Sequence, residues 1–485
     1  MSDKRRATVP LTWPKAALFI AAAVACFHLA YWPTNFWPLH LGIFGYVICV
    51  TQLSRMPTTR QAYYAGLITG VLCVAPQLTC FWKIFSVGAV ALYYILGCWI
   101  GIFTATTSAS LRRFGPIKTA ILIPFLWMGL EYFRSELYYL KFSWMNVGYA
   151  LAPAGPPLSI YGMYAVGLVA AIYAAAFLAA KLRSALIITG ALTLWCILNS
   201  AVEFVPPRNG PVRIAGVQME FPVEADIPRA LDAALAEHTN ADIFVLSEYT
   251  LNSTEYTSGG PIPKEIKNWC RKNQRYLVIG GKDPAPKNNY YDTAFVVGTN
   301  GEIVFRQGKS VPIQFFKDGL PAPKQEVWDS PWGKIGFCVC YDLSYTRVID
   351  GLINKGAQLI IVPTMDVIDW GKRQHELHAL VAPVRAAEYH VPIFRVASSG
   401  ISQAVDHRGR VVATAPFAGE GKALFASLRL PDKGSLPLDR YLAPVAVAMT
   451  ATVLLWLNAG KLRKKPNAPA ASDSLENKSE ASVVR

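Results

Sequence analysis

At 485 residues the chain has room for two or three domains, and 53% hydrophobic against 16% charged residues, with a mean hydropathy of +0.28, excludes an ordinary soluble protein. Soluble chains carry about a quarter charged residues. The formal charge of +15 would suit nucleic acid only if the basic residues lay away from the apolar segments, and nine cysteines are too sparse for a disulfide scaffold.

Seven apolar stretches occupy 16–32, 36–53, 62–82, 87–111, 117–133, 158–180 and 185–202, and an eighth lies at 442–459. A bilayer core needs about 20 apolar residues in helical form. The fifth stretch is the weakest, because Lys118 and Glu131 shorten it and Pro124 interrupts it. Basic residues gather at alternate ends: Lys4, Arg5 and Arg6; Arg55 and Arg60; Arg112, Arg113 and Lys118; Lys181 and Arg183; and Lys461, Arg463, Lys464 and Lys465. Of the opposite loops, Trp32–Phe36 is free of charge and the connection between the third and fourth stretches carries only Lys83. This positive-inside bias predicts a membrane domain at 1–205 with seven spans, a domain outside the cytoplasm at 206–440, an eighth span at 441–460 and a cytoplasmic tail at 461–485. Both termini then lie in the cytoplasm. The first stretch has a basic start but no small-x-small cleavage site at a suitable spacing, so it reads as a span rather than a removed leader. The bilayer is an expected partner and nucleic acid is not.

Between 206 and 440 the pattern changes. Short β-branched runs at 212–219, 243–247, 276–281, 293–298, 335–340, 359–363 and 393–397 alternate with helical periods such as 228–238 and 375–390. Strands apolar on both faces and separated by helices predict an α/β domain whose sheet is covered on both sides. Thr299-Asn300-Gly301 marks a hairpin between 290–297 and 301–305.

Three residues carry candidate chemistry: Glu248 in ADIFVLSEYT, Lys309 in FRQGKSVPIQFF and Cys340 in IGFCVCYDLSY. Each ends or directly follows a predicted strand, where α/β proteins place their sites. Singly, a strand-end Glu reads as a cap, a loop Lys as surface and a strand Cys as packing. Together they supply a base, a cation and a nucleophile, the set a thiol needs to act near neutral pH. Strand alternation puts Cys338 and Cys340 on one face; the strand-end position favours Cys340. Cys270, in a polar helical stretch, reads as structural.

In chain order these residues resemble the Glu-Lys-Cys triad of the carbon–nitrogen hydrolase (nitrilase) superfamily. The preceding spans resemble its apolipoprotein N-acyltransferase branch. The likeness extends to CYD at 340–342, where the family usually has CYE, to QHELHALVAPVRAAEYHVPIFRVASSGI at 374–401, and to KFSWMNVGY at 141–149, similar to the family's FPW…GY loop. It implies an α-β-β-α sandwich outside the cytoplasmic membrane of a bacterium, no cofactor and no metal. It implies a two-step acyl transfer: Glu248 takes the Cys340 proton, the thiolate attacks a phospholipid ester, and the thioester passes its acyl chain to the α-amine of a diacylglyceryl-modified apolipoprotein. Lys309 and the backbone N–H of Tyr341 are then the oxyanion donors.

Two positions depart from the family pattern. The family lysine lies four residues before a Val-Pro pair, whereas Lys309 lies two before Val311-Pro312. Gln307 would take the place by strict spacing, and Lys309 is preferred because Gln supplies no charge. The family's assisting FGE glutamate has no clear counterpart; Gln314 is a neutral isostere and Asp318 a charged candidate. Asp342 reads as orienting the triad or capping the next helix. Asp366 and Trp370, in VPTMDVIDWG, read as substrate-facing, as does Trp144 in the 141–149 loop. Phe315, Phe316 and Leu320 would suit a lid over lipid chains. Arg385 and Glu388, spaced i, i+3, read as a structural ion pair, and His375 and His378 share a helix face without a third metal ligand. The alternatives are a membrane-anchored amidase, a transporter, and a non-catalytic relative. The spans hold almost no mid-helix ionisable residues, which counts against transport.

Overall fold

The computed structural model describes residues 10–34, 36–152, 161–179, 187, 190–191, 210–253, 260–419 and 421–462. Nearly all of the expected seventh span, at 185–202, lies outside the described residues, as do the tail beyond 462 and the start of the sixth span.

Among the described residues, three helices are long and apolar enough to cross a membrane: Trp13–Ala30, Gly88–Leu137 and Asp439–Ala459; Trp37–Leu53 and Met163–Leu178 are shorter apolar helices. The helical run Gly88–Tyr132 is a hairpin rather than a rod. Gly115 has φ 77° and breaks the helix just before Pro116, a backbone conformation that glycine tolerates at no steric cost. The rings of Phe103 and Trp127, twelve residues either side of it, are 4.9 Å apart, and those of Trp99 and Phe133 5.9 Å apart. The expected fourth and fifth spans are therefore antiparallel neighbours.

The expected third span divides. Its helix, Thr59–Val74, begins at a capping box in which the Thr58 hydroxyl accepts the Gln61 N–H and the Gln61 side chain accepts the Thr58 N–H. It ends before Pro76, and a separate short helix, Cys80–Phe85, follows. Thr59–Val74 lies so close to the hairpin that a Cβ on Gly70 would meet Gly97 Cα at 2.7 Å, the small-residue contact by which membrane helices approach.

The remaining domain is two stacked six-stranded sheets, ordered β12-β1-β2-β3-β4-β5 and β11-β10-β9-β8-β7-β6. The strands are β1 Val212–Val217, β2 Ile243–Leu246, β3 Tyr276–Ala285, β4 Asn289–Val297, β5 Ile303–Gly308, β6 Val327–Ser330, β7 Gly333–Phe337, β8 Leu359–Thr364, β9 Ile393–Ala397, β10 Ser402–Val405, β11 Val411–Ala415 and β12 Ala423–Leu428. Alternation along β2 explains the layering. Ile243 and Val245 face the space between the sheets, while Phe244 and Leu246 pack with Ile227, Leu231 and Trp269 of the outer helices Ile227–Glu237 and Lys264–Asn273. Each such fully buried side chain contributes about 1.5–3 kcal/mol.

Two expectations need correction here. The strand expected over 335–340 ends at Phe337, because the chain turns into a 3-10 turn, Cys340–Ser344, with Cys340 at φ 51°. The helix expected over 375–390 is two helices, Lys372–Ala379 and Val381–Tyr389. Strands β6, β10, β11 and β12 were not among those expected.

The apolar helices and the domain are joined by specific polar contacts. Trp144 Nε1 donates to Ser344 Oγ at 3.2 Å, Tyr345 O–H to the Lys141 carbonyl at 3.3 Å, and the Met163 N–H to Glu388 Oε1 at 2.6 Å. Lys83 Nζ reaches the Asp369 carbonyl at 2.9 Å.

Candidate active site

Three strand ends converge. Glu248 lies two residues past β2, Lys309 follows β5 directly, and Cys340 lies three residues past β7. Lys309 Nζ is 2.7 Å from Glu248 Oε1, 2.9 Å from Asp318 Oδ2 and 3.3 Å from Asp292 Oδ2. The second Glu248 oxygen accepts the Met365 N–H at 2.6 Å, and Cys340 Sγ lies 3.8 Å from the Met365 carbonyl. All of these side chains are buried. Glu248, Asp292 and Asp318 could in principle ligate a cation, but the Lys309 ammonium already occupies the space between them.

The electrostatics follow from sealing charge in a low-dielectric site. Burial works against the Glu248 carboxylate, but the Lys309 charge and side-chain hydrogen bonds outweigh it and hold the group below its ordinary range. Burial likewise opposes the Lys309 ammonium, and the surrounding carboxyls, Glu248 first, more than offset it. Burial pushes the Cys340 thiol well above its ordinary range; the Glu248 charge adds to this and Lys309 opposes it. The resting site therefore holds a carboxylate, an ammonium and a neutral thiol. The positive φ at Cys340 is backbone strain of the kind that collects at functional sites.

Asp342 fastens two loops together. Its carboxylate accepts the N–H groups of Ser310 at 2.9 Å and Val311 at 2.7 Å, tying the turn of Cys340 to the segment after Lys309. Burial raises this carboxyl to about 6, against the opposing pull of those N–H groups and Lys309. Arg385 braces the same turn from behind, donating to the carbonyls of Leu343 at 3.1 Å and Ser344 at 2.6 Å while paired with Glu388 at 2.5 Å.

The other expected residues separate into two groups. Gln314 is not beside the triad: its Nε2 donates to the Tyr139 carbonyl at 3.1 Å, and Asp318 is the carboxyl next to Lys309. Asp318 also accepts the Tyr249 hydroxyl at 2.9 Å and the Ile313 N–H at 2.7 Å. Asp366 is saturated by Arg395, by His378 at 2.7 Å and by Gln374 at 3.0 Å. Burial alone would raise its pKa, but His378 and Arg395 hold it well below the usual carboxylate range. Gln307 turns away, with its Nε2 on the Gly308 and Lys324 carbonyls at 2.8 and 3.1 Å.

Trp144, Tyr341, Trp370, Phe315, Phe316, Gln314 and Asp366 join Cys340 in lining one open cleft of about 940 Å³. Its opposite wall comes from the apolar helices, through Cys80, Phe81, Phe85 and Leu96. Phe85 stacks edge-on against Phe315 and Phe316 at 6.0 and 5.8 Å, and Phe315 is 67% exposed. The Cys340 thiol thus opens into an apolar space shared by the helices and the domain.

Asp292 was missed from sequence. It lies mid-strand on β4 opposite Lys282, in a hairpin whose pattern reads as ordinary pairing; an acidic residue inside an otherwise apolar and aromatic strand was the available signal.

Residues 213–437 match the carbon–nitrogen hydrolase family, and residues 21–200 match the apolipoprotein N-acyltransferase N-terminal domain. Among curated proteins, the apolipoprotein N-acyltransferase of Geobacter metallireducens is 22% identical over 74% of this chain and 80% of its own length. That of Azotobacter vinelandii is 22% identical over 96% of this chain and 98% of its own. A formamidase from Helicobacter acinonychis is 28% identical, but over only 28% of this chain and 45% of its own length.

Proposed function

This chain belongs to the apolipoprotein N-acyltransferase family of the carbon–nitrogen hydrolase superfamily, and from that premise we propose that it transfers an acyl chain from phospholipid to lipoprotein N-termini through a thioester on Cys340. Glu248 accepts the Cys340 proton as sulfur attacks the ester carbonyl. The C–O bond to glycerol breaks, the proton passes from Glu248 to the departing oxygen, and lysophospholipid leaves. The α-amine of a diacylglyceryl-cysteine then attacks the thioester; Cys340 leaves as thiolate and is reprotonated by the proton that the amine gives up through Glu248. The Lys309 ammonium and the Tyr341 backbone N–H stabilise the oxyanion of both steps, and fixed donors of this kind contribute about 10²–10³ in rate each. No step calls for a metal or cofactor.

The observation that carries this reading is the shared cleft: Cys340 opens into an apolar space walled by both the helices and the domain, which suits a lipid acyl chain better than a water-soluble amide. The domain at 206–440 is assigned to the periplasmic face of a bacterial inner membrane, after seven spans in 1–205, with the eighth span at 441–460 and both termini cytoplasmic; the alternating basic residues support this. An amidase would use the same three residues with water as acceptor. Supplying purified protein with phospholipid and a diacylglyceryl-cysteinyl peptide separates the two. The transferase reading predicts an N-acylated peptide, and release of free fatty acid with the peptide untouched would overturn it.

A further inference from the structure

Asp292 is set apart from every other carboxyl around Cys340. Glu248 receives Lys309 and the Met365 N–H, Asp318 receives Lys309, Tyr249 and the Ile313 N–H, Asp342 receives backbone N–H groups, and Asp366 receives Arg395, His378 and Gln374. Asp292 is 0% exposed, and among the described residues no N–H or hydroxyl donates to either of its oxygens; its side-chain neighbours are the Glu248 carboxyl and Lys309 Nζ at 3.3 Å, an ammonium that lies closer to Glu248 and Asp318. A sealed carboxylate without donors is costly, whereas a protonated one supplies its own. Carboxyl oxygens of Glu248, Asp292 and Asp318 all lie within 4.8 Å of one another. One ammonium cannot balance three anions there.

We propose that Asp292 is the protonated member of a carboxyl pair with Glu248, and that this retained proton sets the alkaline limit of Cys340 acylation. The assignment rests on the triad reading above and deepens it. At rest the pair holds one proton, on Asp292. It holds two while Glu248 carries the proton taken from Cys340, and returns to one when the lysophospholipid oxygen takes that proton. Losing the resting proton would leave the sealed site with two net negative charges from Glu248, Asp292, Asp318 and Lys309, against which a thiolate and an oxyanion must form. Burial and the Glu248 charge both push the Asp292 carboxyl well above its ordinary range, in keeping with the geometry. The titratable groups that face Asp292 are Glu248, Lys309 and Asp318, with Tyr249, Tyr290 and Lys282 behind them. Asp292 is a positioning residue: it touches Glu248 and Lys309 rather than substrate.

The test compares full-length wild type with Asp292→Asn, an isosteric amide that cannot titrate. Difference infrared spectroscopy at neutral pH reads the protonated carboxyl directly and needs no turnover; the C=O band of a protonated acid is expected in wild type and absent from Asp292→Asn. The pH dependence of Cys340 acylation, followed by intact mass with a phospholipid donor, is expected to fall at high pH in wild type and to lose that fall in the variant. No band difference overturns the proposal, as does an identical alkaline limb in the two proteins. If wild type shows the band but forms no Cys340-dependent adduct, the triad reading fails, and with it the pair's part in acylation.

Discussion

Lys309 Nζ and Glu248 Oε1 lie 2.7 Å apart with both side chains sealed from solvent, although 61 residues separate them in the chain. A pair this deeply buried contributes little net stability, because desolvation offsets its attraction. On the proposed reaction, its value is in holding an anion that accepts a proton beside a cation that faces an oxyanion.

Removing the cation alone exposes that balance. Lys309→Met leaves Glu248 and Asp318 without their shared partner. Breaking one side of a buried pair costs about 3–5 kcal/mol, and losing an oxyanion donor costs roughly 100-fold or more in rate. A lowered unfolding midpoint in detergent together with a collapsed acylation rate is expected; a variant as stable and as active as wild type would contradict the assignment.

The thiol itself has a pH signature. Burial and Glu248 raise the Cys340 pKa well above 9.0, so the thiol form dominates at neutral pH. Alkylation of Cys340 by iodoacetamide, read by mass, is expected to rise continuously through pH 9. A rate already at its plateau by pH 7 would indicate a preformed thiolate and count against Glu248 as the base.

Asp342 links pH to stability. Its carboxyl rises from the ordinary 3.8 to about 6 in the fold, so the folded chain binds this proton more tightly than the unfolded one. The stabilisation is fully present below 3.8 and is lost as pH rises to 6, roughly 3 kcal/mol in all. Asp342→Asn is expected to flatten the stability difference across that window when urea unfolding is compared with wild type. An unchanged slope would show that the carboxyl is not desolvated as its burial implies.

The aromatic rim of the cleft separates substrate binding from folding. Phe316 is 40% exposed, so Phe316→Glu is expected to change stability by about 0.5 kcal/mol or less. The same charge at the mouth of an apolar cleft is expected to raise the KM for phospholipid several-fold. Unaltered KM would remove Phe316 from the lipid path.

Much of this was legible because it depends on local chemistry. The apolar stretches, the α/β alternation and the three strand-end residues follow from composition and period. What escaped depends on distance. The Cys80–Phe85 helix has the same apolar character as the span before it, and only Pro76 separates a membrane helix from a cleft wall. The Cys340 turn needed φ 51°, which no alternation of residues announces. Asp318 took the place beside Lys309 and Gln314 did not, because the loop after Val311-Pro312 turns Gln314 outward to Tyr139. Asp366 and Arg395 pair across 29 residues, and Asp292 meets Glu248 only when β3 pairs with β2 on one side and β4 on the other.

The central claim is a covalent acyl chain on one sulfur. Intact-mass analysis of the purified full-length protein incubated with phospholipid, beside Cys340→Ala, tests it most directly. The account predicts an added mass equal to one donor acyl chain less a proton, absent from Cys340→Ala and discharged by a diacylglyceryl-cysteinyl peptide. No adduct on wild type, or the same adduct on Cys340→Ala, would contradict it.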